Sequence, residues 1–210
     1  MTSPRGPILV VSAVPQELRD APRGGAESPL RYLPAGMGPR AGEVVRQRLA
    51  REKFEWVVST GFAGGVRPGF RVGDLVLATE VVEAGTGRRR KPAAGWAGLN
   101  GSCSAGIFVT VERPLRDSGE KRELGARYGA VAVEMETARV AQAAEEAGVP
   151  WVSLRAILDP MEAPLPACST RDALAMLLRP VRWGDFKDFL AAIRTASKSL
   201  GVGIGNLVLQ

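Results

Sequence analysis

A chain of 210 residues with a hydrophobic fraction of 45% and a charged fraction of 24% has the composition of one globular domain with its own core. It contains no histidine, which excludes His-based triads, His general bases and His metal ligands and leaves proton chemistry to Asp, Glu, Lys, Tyr or Cys. The formal net charge of +6 suits anionic metabolites, nucleic acid or a membrane face, whereas no apolar run reaches the ~18 residues of a membrane span.

The first seven residues carry no signal-peptide pattern. Cys103 and Cys168 lack metal-ligand spacing, so a reduced, cytoplasmic protein without a bound metal or other cofactor is expected. Ile8–Val14 is an apolar run bounded by Pro7 and Pro15 and reads as a buried strand. Gly36-Met37-Gly38 precedes a helix over Ala41–Lys53, whose stripe is Val44, Val45, Leu49 and Phe54. Trp56–Thr60 is the next strand, followed by the glycine-rich turn Gly61–Gly65. Arg71–Asp74 turns into the strand Leu75–Val82.

Gly85–Gly101 is rich in Gly and Pro and holds Arg88-Arg89-Arg90-Lys91, which reads as a mobile surface loop. No aromatic residue interleaves with these cations, which argues against a stacking platform and against nucleic acid as partner. Ile107–Val111 is a strand, Leu115–Tyr128 a helix, and Val131–Val133 and Trp151–Ile157 are core strands flanking a helix over Thr137–Ala147. Pro160, Pro164 and Pro166 mark a loop, and Arg171–Leu178 and Trp183–Leu200 close the chain as helices. No repeat or long linker divides residues 1–210. Strand–helix alternation predicts a single α/β domain with a mixed, mostly parallel central sheet flanked by helices.

Acids gather at strand ends, where ligands of open α/β folds bind. Glu134 and Glu136 stand where a buried strand becomes a helix; two positions apart on a helix, they point to nearly opposite sides. Taken alone, they read first as an acidic first helical turn favoured by the helix dipole. Glu17 follows the first strand and Asp159 follows Trp151–Ile157. Singly, such acids are caps or turn residues. Together Glu17, Glu136 and Asp159 predict one carboxylate-lined pocket, where partial dryness raises pKa values and suits acids and bases. Gly36-x-Gly38 and Gly61-x-x-Gly64-Gly65 allow close approach of a ligand or simply make tight turns.

In order and spacing, six segments resemble the nucleoside phosphorylase/nucleosidase superfamily, particularly its methylthioadenosine/S-adenosylhomocysteine nucleosidase side. They are Val11–Glu17, Gly36–Gly38, Ser59–Gly65, Val72–Val76, Val133–Glu136 and Arg155–Asp159. Within it, Glu112-Arg113-Pro114-Leu115 and Asp159-Pro160 are similar to the hopanoid-associated phosphorylase group, which acts on adenosylhopane. The resemblance implies cleavage of the N-ribosidic bond of a purine, adenine-bearing nucleoside in a homo-oligomer. It implies catalytic roles for Asp159, which protonates the purine at N7, and Glu17, which activates water. Glu136 would bind the ribose hydroxyls and suit the oxocarbenium-like sugar. Met135 would pack on the sugar, Phe62, Ala63 and Gly64 would line its side of the pocket, Pro114 and Leu115 would lie by the purine, and Glu134 would complete the binding set.

Departures bear on the nucleophile. Phosphorylases of the superfamily hold phosphate with an arginine and a serine on the strand-turn occupied here by Ser59 and Phe62, and Phe62 cannot donate a hydrogen bond. This favours water, leaving Arg19, Arg40 or a neighbouring subunit's arginine for a phosphorolytic alternative. Pro114 stands where the family has an aromatic that stacks on the purine, implying a more open pocket. The segment Arg19–Arg31 is shorter than usual. A third alternative is a catalytically silent nucleoside-binding protein. In the last helix, Trp183, Phe186, Phe189, Leu190, Ile193 and Leu200 recur at helical spacing beside Lys187, Arg194 and Lys198. A core-packing helix accounts for this pattern, and peripheral contact with a membrane is the sharper alternative.

Overall fold

The computed structural model describes residues 6–22, 28–94, 103–115, 117–162 and 183–208, and the side chains among them except those of 183–186 and 208. The predicted helix 171–178, Pro164, Pro166, Cys168 and the side chains of Trp183 and Phe186 lie outside that description.

The strands are β1 (Ile8–Ser12), β2 (Leu30–Pro34), β3 (Trp56–Gly65), β4 (Leu75–Glu83), β5 (Arg89–Arg90), β6 (Ser104–Thr110), β7 (Ala130–Glu134) and β8 (Trp151–Asp159). The helices are α1 (Arg40–Arg51), α2 (Ser118–Tyr128), α3 (Thr137–Glu146) and α4 (Trp183–Val208), with a 3₁₀ turn at Pro15–Leu18. Among the described residues the sheet has eight strands, and five of the eight strand pairings are parallel. The predicted mixed, mostly parallel α/β sheet is therefore present.

Its curvature was not foreseen. β3 pairs with β8, β8 with β4, β4 with β6, β6 with β7, and β7 returns to β3. Five strands thus close on themselves, while β1 and β2 continue from β3 as an open wing.

Both faces of the wing are covered, which is why its strands read as continuous apolar runs rather than alternations. Leu9 and Val11 point to a core shared with Val45 of α1 and Val140 and Ala144 of α3. Ile8 and Val10 point the other way, to Val152, Leu154 and, on α4, Ile204 and Leu207. A third cluster joins Val109 and Val133 to Leu115, with Leu124 of α2 packed against it.

Several expected boundaries move. Gly61–Gly65 is not a turn: β3 runs through it, Gly64 and Gly65 pairing with Val133 and Ala132 of β7. Arg89 and Arg90 are not loop residues but a short strand paired with β4, and Arg90 is bound to Glu145. β2, absent from the predicted elements, is an edge strand that among the described residues pairs with β1 alone, and it ends at Pro34. α2 starts at Ser118 because the Asp117 side chain accepts from the Glu120 N–H at 2.8 Å and caps it.

Candidate active site

β1 ends at Ser12, and Pro15 sets the backbone for one 3₁₀ turn. That turn folds Glu17 back onto the strand end. One carboxylate oxygen accepts from the N–H groups of Ala13 at 2.8 Å and Val14 at 3.1 Å; the other accepts from the N–H of Phe62 at 2.8 Å. Glu17 is therefore fixed between β1 and β3. Burial pushes its carboxyl above the usual range, against the pull of Arg155 and those N–H donors.

β7 delivers the next two acids, and here the expectation of opposite helical faces fails. Glu134 is the last residue of the strand and Glu136 the residue just before α3, whose first turn holds no acid. The bend between them turns both side chains inward. Glu134 accepts from the N–H groups of Glu136 at 2.9 Å and Thr137 at 2.7 Å, from the Thr137 hydroxyl at 2.7 Å, and from the Thr110 hydroxyl. Glu136 accepts from the N–H of Gly38 at 3.2 Å, so the Gly36–Gly38 turn closes on it. Burial pushes Glu136 up to about 7; Arg155 opposes the rise and the charge of Glu134 adds to it.

Arg155 of β8 joins these acids. Its guanidinium is 1% exposed, 2.8 Å from Glu134 and 3.7 Å from Glu136. It also donates to the Thr60 carbonyl at 2.8 Å, the Ser59 hydroxyl at 3.2 Å and the Thr137 hydroxyl at 2.8 Å. Gly61 is required beside it. Its φ is +141°, and a Cβ there would stand 2.5 Å from both Arg155 Nη1 and Glu17 Oε1. Asp159, the last residue of β8, is ion-paired to Lys121 of α2, which is fully buried.

These acids border a single cavity of about 290 Å³. Glu17, Glu134, Glu136 and Asp159 line it, as do Phe62, Ala63, Gly64, Pro114, Leu115 and Met135. The ten residues to which the resemblance assigns a catalytic or binding role thus line one hollow, whereas Ser59, Arg19 and Arg40 do not. The rest of the wall is largely apolar, with Val14, Val111, Val133 and Leu158, and Met37 stands at its rim, 64% exposed. A second hollow of about 200 Å³ adjoins it, sharing Val111 and Met135 and bordered by Glu83 and Arg139. Ser59 does not line the cavity: its hydroxyl belongs to the Arg155 network.

Arg155 and Lys121 were not singled out as functional. Arg155 sits inside a quoted segment, but its role depends on contacts from β3, β7 and α3 that no local pattern encodes. Lys121 lies on an otherwise polar helix, where a lysine is ordinarily solvent-exposed. Among the described residues no cluster of acids and cysteines is arranged to hold a metal ion.

Comparison with known proteins adds a lineage to this geometry. The family model described as Phosphorylase superfamily matches residues 23–177, a span that takes in Glu134, Glu136 and Asp159 but not Glu17. A 5'-methylthioadenosine/S-adenosylhomocysteine nucleosidase of Exiguobacterium sp. is 32% identical over 154 residues, 60% of this chain and 66% of the relative. One of Geobacillus thermodenitrificans is 30% identical over 138 residues, 53% of this chain and 58% of the relative. The matched segments thus span less than two thirds of these relatives. Among solved structures, native futalosine hydrolase of Helicobacter pylori superposes with a TM-score of 0.75 at 17% identity, over 97% of each chain. The S-adenosylhomocysteine nucleosidase of Streptococcus pyogenes, in complex with 5-methylthiotubericidin, gives 0.71 at 20% identity, over 100% of this chain and 97% of that one. At these identities the structural likeness establishes a shared fold.

Proposed function

The chain belongs to the phosphorylase superfamily, and from that premise we propose that it is a nucleosidase, hydrolysing the N-ribosidic bond of a purine, adenine-bearing nucleoside. The observation that carries this reading is the convergence of Glu17, Glu136 and Asp159 on one cavity of about 290 Å³. The names of its sequence relatives, methylthioadenosine/S-adenosylhomocysteine nucleosidases, point the same way.

In this reading the bond between the base nitrogen and the anomeric carbon breaks as the sugar becomes cationic. Asp159 gives a proton to N7, so that the base departs neutral. Glu136 accepts from the ribose hydroxyls, and its negative charge favours the oxocarbenium-like sugar. Glu17 orients water and takes its proton as the new carbon–oxygen bond forms; burial, by raising its pKa, makes it a better base near neutrality. Met135, Phe62, Ala63 and Gly64 flank the sugar, Pro114 and Leu115 the purine, and Glu134 holds the turn that presents Glu136. The adjoining hollow gives room for a 5′ substituent beyond Met135. The protein works in the cytoplasm as a homo-oligomer.

Phosphorolysis of an adenosylhopane-like substrate is the second reading. It rests on Arg40, whose side chain lies 3.4 Å from the Cβ position of Gly36, in the turn whose Gly38 contacts Glu136. Placement of Ser59 in the Arg155 network favours water instead.

A substrate panel tests both. Methylthioadenosine, S-adenosylhomocysteine, futalosine, inosine and adenosylhopane are incubated in phosphate-free buffer and base release is read. Free base with a free ribosyl product is expected. An absolute requirement for phosphate would overturn hydrolysis in favour of phosphorolysis, and ligand binding without base release from any substrate would leave a nucleoside-binding protein.

A further inference from the structure

Lysine rarely goes to the core without a partner, because an uncompensated buried ammonium is strongly destabilising. Lys121 is completely buried, on a helix whose neighbouring residues Glu120 and Arg122 are not. Its stem passes beneath β3, where Nζ is 3.5 Å from the Cβ position of Gly64, a residue of the cavity wall. Its ammonium meets Asp159 twice, donating to the carboxylate oxygen Oδ2 and, at 3.2 Å, to the main-chain carbonyl of the same residue. Holding both the side chain and the backbone of one residue fixes the direction of its carboxyl group. α2 contributes no residue to the cavity wall, yet through Lys121 it reaches the acid at the cavity's edge.

We propose that Lys121 is the positioning residue for the proton donor, and that the proton shared between Lys121 Nζ and Asp159 Oδ2 is the one delivered to the leaving base. The inference rests on the nucleosidase reading and deepens it. Before reaction the pair is an ammonium and a carboxylate. As the glycosidic bond breaks, its electron pair moves onto the base; the shared proton crosses from Lys121 Nζ to the Asp159 carboxylate, and the carboxyl group so formed delivers it to the base nitrogen. The pair is left as a neutral amine and a carboxylate, and solvent restores the ammonium proton after product leaves. The buried charge contributes twice, aiming the acid and supplying its proton.

Lys121→Met tests this with two substrates. A purine nucleoside needs its base protonated, whereas 4-nitrophenyl β-riboside releases a nitrophenolate that leaves unprotonated. On the nucleoside, kcat is expected to fall by about 10²- to 10⁴-fold, the range for loss of a general acid, with KM changed by no more than a few-fold. On the nitrophenyl riboside the rate is expected to stay within a few-fold of wild type. Lys121→Arg, which keeps a cation and its donors, is expected to recover part of the nucleoside rate.

A mutant cycle completes the test. In an Asp159→Asn background, Lys121→Met is expected to add no further loss, because its partner is already gone. That double variant buries no unpaired charge, so it keeps the fold accessible if the single methionine variant does not fold; Lys121→Gln, which retains a donor, serves the same purpose. Wild-type turnover by the lysine variants, equal losses on both substrates, or additive losses in the cycle would each overturn the proposal. Failure of the wild-type protein to release base from any nucleoside would instead remove the nucleosidase reading, before any variant is made.

Discussion

Glu136 stands in a site that favours its protonated form, and this has a sign that can be measured. Its folded-state pKa of about 7 lies above the ordinary value of 4.5 for a glutamate. Between those values the folded protein holds a proton that the unfolded chain has lost. The site's contribution to stability is therefore fully present below about pH 4.5 and is lost as pH rises through 7. Glu136→Gln removes the titration while leaving an acceptor for Gly38. We expect it to stabilise the fold by on the order of 2 kcal/mol at pH 8 and by less at pH 5, while abolishing ribose recognition; thermal melts at both pH values check this, and an equal shift at each would refute it. Asp159→Asn should keep nucleoside binding and lose most turnover, because an amide cannot supply the proton; calorimetric titration beside a base-release assay separates the two. Glu17→Gln should depress hydrolysis with binding retained, and a wild-type rate would remove its water-activating role. The acids at strand ends were legible because strand ends of α/β sheets are where such groups collect. The cations behind them were not, since Lys121 and Arg155 acquire meaning only from residues tens of positions away, such as Asp159 for Lys121 and Ser59 and Glu134 for Arg155.

At the scale of elements, apolar period and capping located most of the strands and helices, while curvature stayed hidden. The glycine run of β3 looks like a turn because glycine is the common turn residue. In the structure it extends a strand and lets Arg155 and Glu17 pack against Gly61. Which of these two uses a glycine run serves depends on its neighbours, not on the run itself. The terminal helix shows the same limit. Of the predicted stripe, Leu200 is buried, Phe189 and Ile193 are half-buried and Leu190 is exposed. The inward face is instead built on Ala192, Ala196, Gly201 and Ile204. Small residues bring α4 close enough for Ser197 to donate to the Gln16 carbonyl at 3.1 Å, one residue before Glu17. At Gly201 the approach is closest, since a Cβ would come 2.1 Å from the Asp20 carbonyl oxygen. Gly201→Ala must push the helix off that turn, so we expect a loss of about 1–3 kcal/mol, the range for overpacking, and a fall in hydrolytic rate through displacement of Glu17. A denaturant melt with a parallel rate measurement checks both, and an unchanged rate would uncouple the helix from the site.

For the whole molecule, the net charge of +6 asks what the cations face. Many described ones are already answered within the fold: Arg46 by Glu43 and Glu146, Arg89 by Glu80 and Arg113 by Glu120. Exposed pairs of this kind add little stability, but they neutralise the surface locally. Among the described residues no helix is long and apolar enough to cross a membrane. The outer side of α4 is different. Lys187, Leu190, Arg194, Lys198 and Val202 recur every three or four residues and are all exposed, Leu190 at 43% and Val202 at 63%. Cations flanking apolar side chains on one helical face are the arrangement by which a protein rests on an anionic bilayer. We expect the protein to float with vesicles containing anionic lipid at low salt and to be released near 1 M salt, where the screening length falls to about 3 Å. Arg194→Glu with Lys198→Glu should abolish flotation without slowing turnover of a water-soluble nucleoside, since neither side chain borders the cavity. If the protein stays in the soluble fraction with neutral and anionic vesicles alike, the exposed face of α4 has no membrane role, and its cations simply keep the protein in solution.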